Sequence, residues 1–261
     1  MSRLSCIFGL LLCACTAETG DAIVDHHPPY VEPETPDDLP PPGSALPPLT
    51  RAPIAPPAIS GGHVAIVGRR VVVGDPDRER ALVFDLDADR LIAELPLAGE
   101  PGRVVAGESG LVFVALRDGG AVAVIDPATA TLQTRYPVCP SPRGLAEAGG
   151  QLHVACLGGA LITFAALTGD EMARVWLPPD LRDVVLVGEQ RWVSRFRSAE
   201  VLIVAPNGRI EATLTPPPRA VDGQYQVPHV AWRLRPRPGG GVTLLHQLAG
   251  HAKVDIRRSG G

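Results

Sequence analysis

Val122-Ala123-Val124-Ile125-Asp126-Pro127 is a short apolar run that ends in a turn signal. The same shape as Val122–Asp126 returns at Ala81–Asp85, Leu161–Ala165 and Val201–Ala205, and in chain order the last residues Asp85, Asp126, Ala165 and Ala205 are 41, 39 and 40 positions apart. A second series precedes each run: Val73-Gly74, Val114-Ala115, Val154-Ala155 and Val193-Ser194, spaced by 41, 40 and 39. Turn residues follow each run, as Asp87-Ala88-Asp89, Asp126-Pro127, Thr168-Gly169-Asp170 and Pro206-Asn207-Gly208. A further strand pattern then closes each unit, at Leu91–Leu95, Leu132–Tyr136, Arg174–Leu177 and Ile210–Leu214. Short β-type runs bounded by Gly, Pro, Asn and Asp predict strands joined by tight turns.

A fixed period of about 40 residues with several short strands per period is the sequence mark of propeller blades. One such sheet cannot bury both faces by itself, so neighbours must stack. The repeat predicts an all-β propeller of four-stranded blades at 63–97, 103–138, 143–177 and 182–216. A partial fifth blade is expected over 228–256, starting near His229 with Val230-Ala231-Trp232-Arg233, continuing through Val242–Gln247 and ending with Lys253–Ile256. Two arrangements fit this count: an incomplete piece of a larger propeller, or a compact ring that Val64–Val67 helps to close. Trp192 and Trp232 fall in strand patterns and are expected as buried aromatics.

Outward from the repeat, the N-terminus reads as an export address. Arg3 precedes the apolar stretch Ile7–Leu12, which is too short to span a bilayer as a helix. Leu12-Cys13-Ala14-Cys15 resembles the bacterial lipobox, with cleavage before Cys15 and lipidation of its thiol. Residues 1–14 are thus expected as a lipoprotein signal peptide. Residues 15–60 are acidic and proline-studded (Pro40-Pro41-Pro42, Pro47-Pro48), which predicts an extended tether. Residues 61–261 form the propeller. The expected location is the bacterial cell envelope, with the exported protein held to a membrane by its acyl anchor.

Composition narrows the classes further. With Gly 28 and Pro 28 in 261 residues, long helices are disfavoured, and a coiled coil or helical bundle is excluded. Hydrophobic residues at 45% permit a sizeable core. A net charge of −4 argues against a nucleic-acid partner.

The units Val122–Pro127 and Ala81–Asp85 resemble the V-x-V-I-D core of bacterial YVTN-type propeller repeats. Pro142-Arg143-Gly144-Leu145-Ala146 resembles the P-x-G-[VL]-A start of that family's innermost strand. The run Pro228–Arg233, with Pro238–Val242 and His246-Gln247, resembles exported propeller proteins that carry a c-type cytochrome segment. That resemblance implies an envelope redox role, but the chain has no Cys-x-x-Cys-His to attach a haem. No cofactor is therefore assigned to these residues.

The chain contains no Gly-x-Ser-x-Gly elbow and no phosphate loop. No metal site is assigned; His246 and His251 lie five apart without an acidic partner. The residues name no reaction, and the reading leans away from an enzyme. Arginines recur where the innermost strand of a blade begins: Arg103, Arg143 and Arg182. Together with His229 they are expected to ring one mouth of the central tunnel, where guanidiniums suit an anionic ligand or protein partner. Cys139 and Cys156, 17 residues apart, should sit at similar height. They form a disulfide, which export would favour, or remain two buried thiols. The function expected first is a lipid-anchored binding or scaffold protein. The alternatives are the propeller part of an electron-transfer protein and, more weakly, a lactonase-like hydrolase with a metal in its tunnel.

Overall fold

Nineteen strands and one 3-10 turn, Pro76–Arg78, make up the regular structure of the described residues. The computed structural model describes residues 62–221 and 224–250. The lipobox with Cys15, the tether and the expected strand Lys253–Ile256 lie outside the described residues.

The first sheet holds β1 (Val64–Val67), β2 (Arg70–Asp75), β3 (Arg80–Asp85) and β4 (Arg90–Pro96). The second holds β5 (Pro101–Ala106), β6 (Val112–Leu116), β7 (Ala121–Asp126) and β8 (Thr131–Pro137). The third holds β9 (Pro142–Ala148), β10 (Gln151–Cys156), β11 (Ala160–Ala165) and β12 (Glu171–Trp176). The fourth holds β13 (Leu181–Val187), β14 (Gln190–Arg195), β15 (Val201–Val204) and β16 (Ile210–Leu214). Each is an antiparallel meander in chain order. The fifth sheet is three-stranded, with order β17 (Arg219–Val221), β18 (Gln224–Pro236), β19 (Val242–Gly250). It therefore begins earlier than the expected start near His229.

The turn residues of the repeat have a physical task. Asp85 Oδ1 accepts the backbone N–H groups of Asp87 and Ala88, and Asp126 Oδ1 accepts those of Ala128 and Thr129. Asn207 does the same for Arg209. These side chains stand in for backbone partners and turn the chain into the outer strand.

The core lies between sheets, and strand alternation assigns each residue to a side. Val112, Val114, Leu116, Ala123 and Ile125 pack towards Val72, Ala81 and Val83 of the first sheet. Their neighbours in sequence, Phe113, Ala115, Val122 and Val124, pack the other way against Leu152, Val154, Ile162 and Phe164. Ala155 and Leu161 then meet Leu181, Val184, Val193 and Leu202. This is why β6 is buried along its whole length, whereas the outer strands β12 and β16 are mostly exposed.

The innermost strands β1, β5, β9, β13 and β18 surround a tunnel of about 410 Å³, lined by residues such as Ala65, Val105, Ala146, Val185 and Leu234. Every sheet is made from one continuous stretch of chain. No strand ladder joins the fifth sheet to the first among the described residues, so within them the ring has no closing ladder.

Candidate functional site

Strand register builds the site. Val64, Val104, Leu145, Val184 and Leu234 hold equivalent positions on the five innermost strands, opposite Val73, Val114, Val154, Val193 and Leu244. The residue just before each is His63, Arg103, Gly144, Asp183 or Arg233. The residue before that is Gly62, Gly102, Arg143, Arg182 or Trp232. All of these except Gly144 and Asp183 line one cavity of about 460 Å³ at the tunnel mouth, and Arg117 and Leu245 complete it.

The strand starts thus bring Arg103, Arg143 and Arg182 together around one space. His229 does not line it; it lies further back on β18, opposite Gln247. The residues that the sequence does not assign to the mouth are His63, Arg117, Trp232 and Arg233, together with Asp183, which holds two of the arginines.

Asp183 is the buried counter-charge. Its Oδ2 lies 2.5 Å from Arg103 Nη2 and 3.8 Å from Arg233 Nη1, and also accepts the Leu234 N–H at 2.9 Å. Its Oδ1 accepts the Val184 N–H. Burial pushes the Asp183 carboxyl up from its ordinary range, while Arg103 and these two amides act against that shift. Gly144 holds the intervening register position. A Cβ there would stand 2.8 Å from the Asp183 Cα, so a side chain is excluded by the close approach of β9 and β13.

The other guanidiniums are held differently. Arg117 pairs with Glu100. Arg182 lies over the rings of Phe196 and Trp232, 5.0 and 5.7 Å from their centroids. Those rings meet edge to face at 5.9 Å. Neither Arg143 nor Arg182 contacts a carboxylate within ion-pair distance among the described residues. The Nε atoms of Arg103, Arg117, Arg143 and Arg233 are buried and lack a hydrogen-bond partner among the described residues. The gathered guanidiniums disfavour one another's charge and that of the imidazole beside them. Burial and then Arg143 and Arg103 lower Arg182, and burial followed by Arg117, Arg103 and Arg182 lowers His63. The charged imidazolium form of His63 is thereby disfavoured.

The expectation of buried tryptophans needs correction. Trp232 is 44% exposed, because it lies over the cavity rather than between sheets. Trp192 is half-buried. Cys139 and Cys156 are joined, with Cα atoms 6.3 Å apart. Cys156 faces Pro142 across β10 and β9, so the bridge clamps the chain immediately before Arg143. Among the described residues no group of three His, Cys, Asp or Glu side chains is placed to hold a metal ion.

No known protein family matches the chain, and no curated protein matches it. Solved structures do. Hydrazine synthase of Kuenenia stuttgartiensis is similar over 81% of this chain and 62% of its own, at 14% identity and a TM-score of 0.62. The WD40 β-propeller domain of Doa1 is similar over 69% of this chain and 58% of its own, at 14% identity and a TM-score of 0.56. The fold is a β-propeller. The chain spans less than two thirds of each of these solved chains, and at such identity the likeness is one of fold alone. In propeller terms the cavity is one mouth of the central tunnel, and residues from all five blades line it.

Proposed function

We propose that this protein is an exported, lipid-anchored propeller of YVTN type that binds an anionic ligand or partner at its arginine-lined mouth, with no chemistry of its own assigned. The observation that carries this reading is the convergence of Arg103, Arg117, Arg143, Arg182 and Arg233 on one cavity, two of them without a carboxylate partner among the described residues. Like charges gathered behind low-dielectric walls focus the field outward and favour an oxyanion. The lipobox-like Leu12–Cys15 supports the anchor, and the V-x-V-I-D units support the repeat type.

Calorimetric titration of the full chain with inorganic phosphate and citrate, at low and high salt, tests the reading. Binding should weaken with salt, because attraction between accessible charges is screened over roughly 10 Å at 0.1 M. The variant R143A/R182A should lose most of it, while Arg103 stays to hold Asp183. No binding of either anion, or unchanged affinity in the double variant, contradicts the proposal. For the anchor, Cys15→Ser should move the protein from the detergent phase to the aqueous phase.

A further inference from the structure

The cavity has two unlike walls. Arg103, Arg117 and Arg143 reach it from the second and third blades, whereas Trp232 and Leu245 of the fifth blade bring apolar surface to it. Trp232 is not a loose side chain. Phe196 meets it edge-on and Arg182 lies over both rings, so its orientation is set before any ligand arrives. An exposed aromatic held this way is a prepared stacking surface, and the arginine over it ties that surface to the charged wall.

Two glycines make the charged wall compact. A Cβ at Gly62 would stand 2.6 Å from Arg103 Nη1, and one at Gly102 would stand 3.0 Å from Arg117 Cγ. The cavity of about 460 Å³ is of small-molecule size.

Building on the anion-binding reading above, we infer that the ligand is a small amphiphilic anion: a carboxylate or phosphate carried on a flat apolar ring. The oxyanion meets the guanidiniums, and the ring lies against Trp232. A bare anion would leave the aromatic wall wet, and an uncharged ring would leave the buried arginine donors unpaired.

Three probes titrated into the full chain test this: 1-naphthyl phosphate, inorganic phosphate and 2-naphthol. Naphthyl phosphate should bind about tenfold more tightly than phosphate, the factor that stacking and ring burial supply. Naphthol should bind weakly or not at all. Trp232→Leu, which keeps apolar bulk, should erase most of that ratio; Trp232→Phe should retain part of it. R143A should weaken both anions alike. Equal affinity for the two phosphates, a ratio untouched by Trp232→Leu, or naphthol binding as tight as that of naphthyl phosphate overturns the inference. The first two of these results leave anion binding intact. Failure of phosphate and naphthyl phosphate alike would overturn the underlying reading as well.

Discussion

Asp183 connects three blades through one carboxylate, so its removal should reach further than a surface substitution. Asp183→Ala leaves Arg103 buried without its partner and the Leu234 N–H without an acceptor. Breaking a buried pair by deleting one member costs about 3–5 kcal/mol. The denaturant midpoint of Asp183→Ala should fall accordingly, and the paired variant R103M/D183L should recover much of the loss. A midpoint within error of the parent would refute the assigned role. His153 makes a second residue-scale prediction. Its ring is buried, with Nδ1 2.9 Å from Thr163 Oγ1, and burial with Arg191 lowers its pKa from 6.5 to about 4. The unfolded chain takes up this proton first as pH falls. The His153 contribution to stability is therefore complete above about pH 6.5 and declines towards pH 4, by on the order of 3 kcal/mol in total. His63 acts in the same direction. Urea midpoints between pH 7 and pH 4 should fall, and His153→Gln should flatten the slope; parallel slopes would exclude His153 as the cause.

Adjacent blades are keyed to each other at their outer turns. Tyr136, on the outer strand β8, donates its hydroxyl to the Ala166 carbonyl of the next blade at 2.9 Å. Its ring lies where a Cβ on Gly169 would stand, only 2.3 Å from Cδ1, and Gly169 has a φ of +75°. Gly208 repeats the device against Val175. Gly169→Ala should therefore destabilise through both backbone strain and a clash, by about 2 kcal/mol or more. Tyr136→Phe should cost about 1 kcal/mol, the net worth of one hydrogen bond. Thermal unfolding of the two variants distinguishes these magnitudes. The disulfide closes a sequence separation of 17 residues between neighbouring blades. Reducing it should cost about 3 kcal/mol in the chain-entropy picture.

At this same scale the strands of the first four blades are legible in the sequence, because alternation and turn residues repeat in step. The fifth blade is less legible, because β18 is 13 residues long and its pairing shifts between His229 and Ala231 and again between Ala231 and Arg233. Those shifts put Trp232 and Arg233, rather than His229, at the mouth. Gly62-His63 is hidden for a different reason. Only alignment of Val64 with Val104 places His63 in register with Arg103, and no arginine marks that start. The Arg103–Asp183 pair joins β5 to β13 past the intervening β9, a contact that no sequence spacing displays.

At the scale of the whole molecule, the first blade keeps an apolar face that the described residues only half cover. Val71, Val73, Leu82 and Phe84 point away from the second blade, are half-buried and belong to none of the three packed layers. Ile66 beside them is 60% exposed. A sheet face of this kind favours association. The full chain should show concentration-dependent self-association in sedimentation, and the paired substitution L82K/F84E should suppress it without altering anion affinity; concentration-independent sedimentation of the parent would contradict this. Anion binding is the claim on which the functional account rests, and it belongs to the ring as a whole because all five blades contribute to the mouth. The most direct test is the affinity of the full chain for inorganic phosphate as a function of salt, measured for the parent and for R143A/R182A. The account predicts affinity that falls steadily with salt in the parent and is largely lost in the variant. Equal affinity in the two proteins, or none in either, would contradict it.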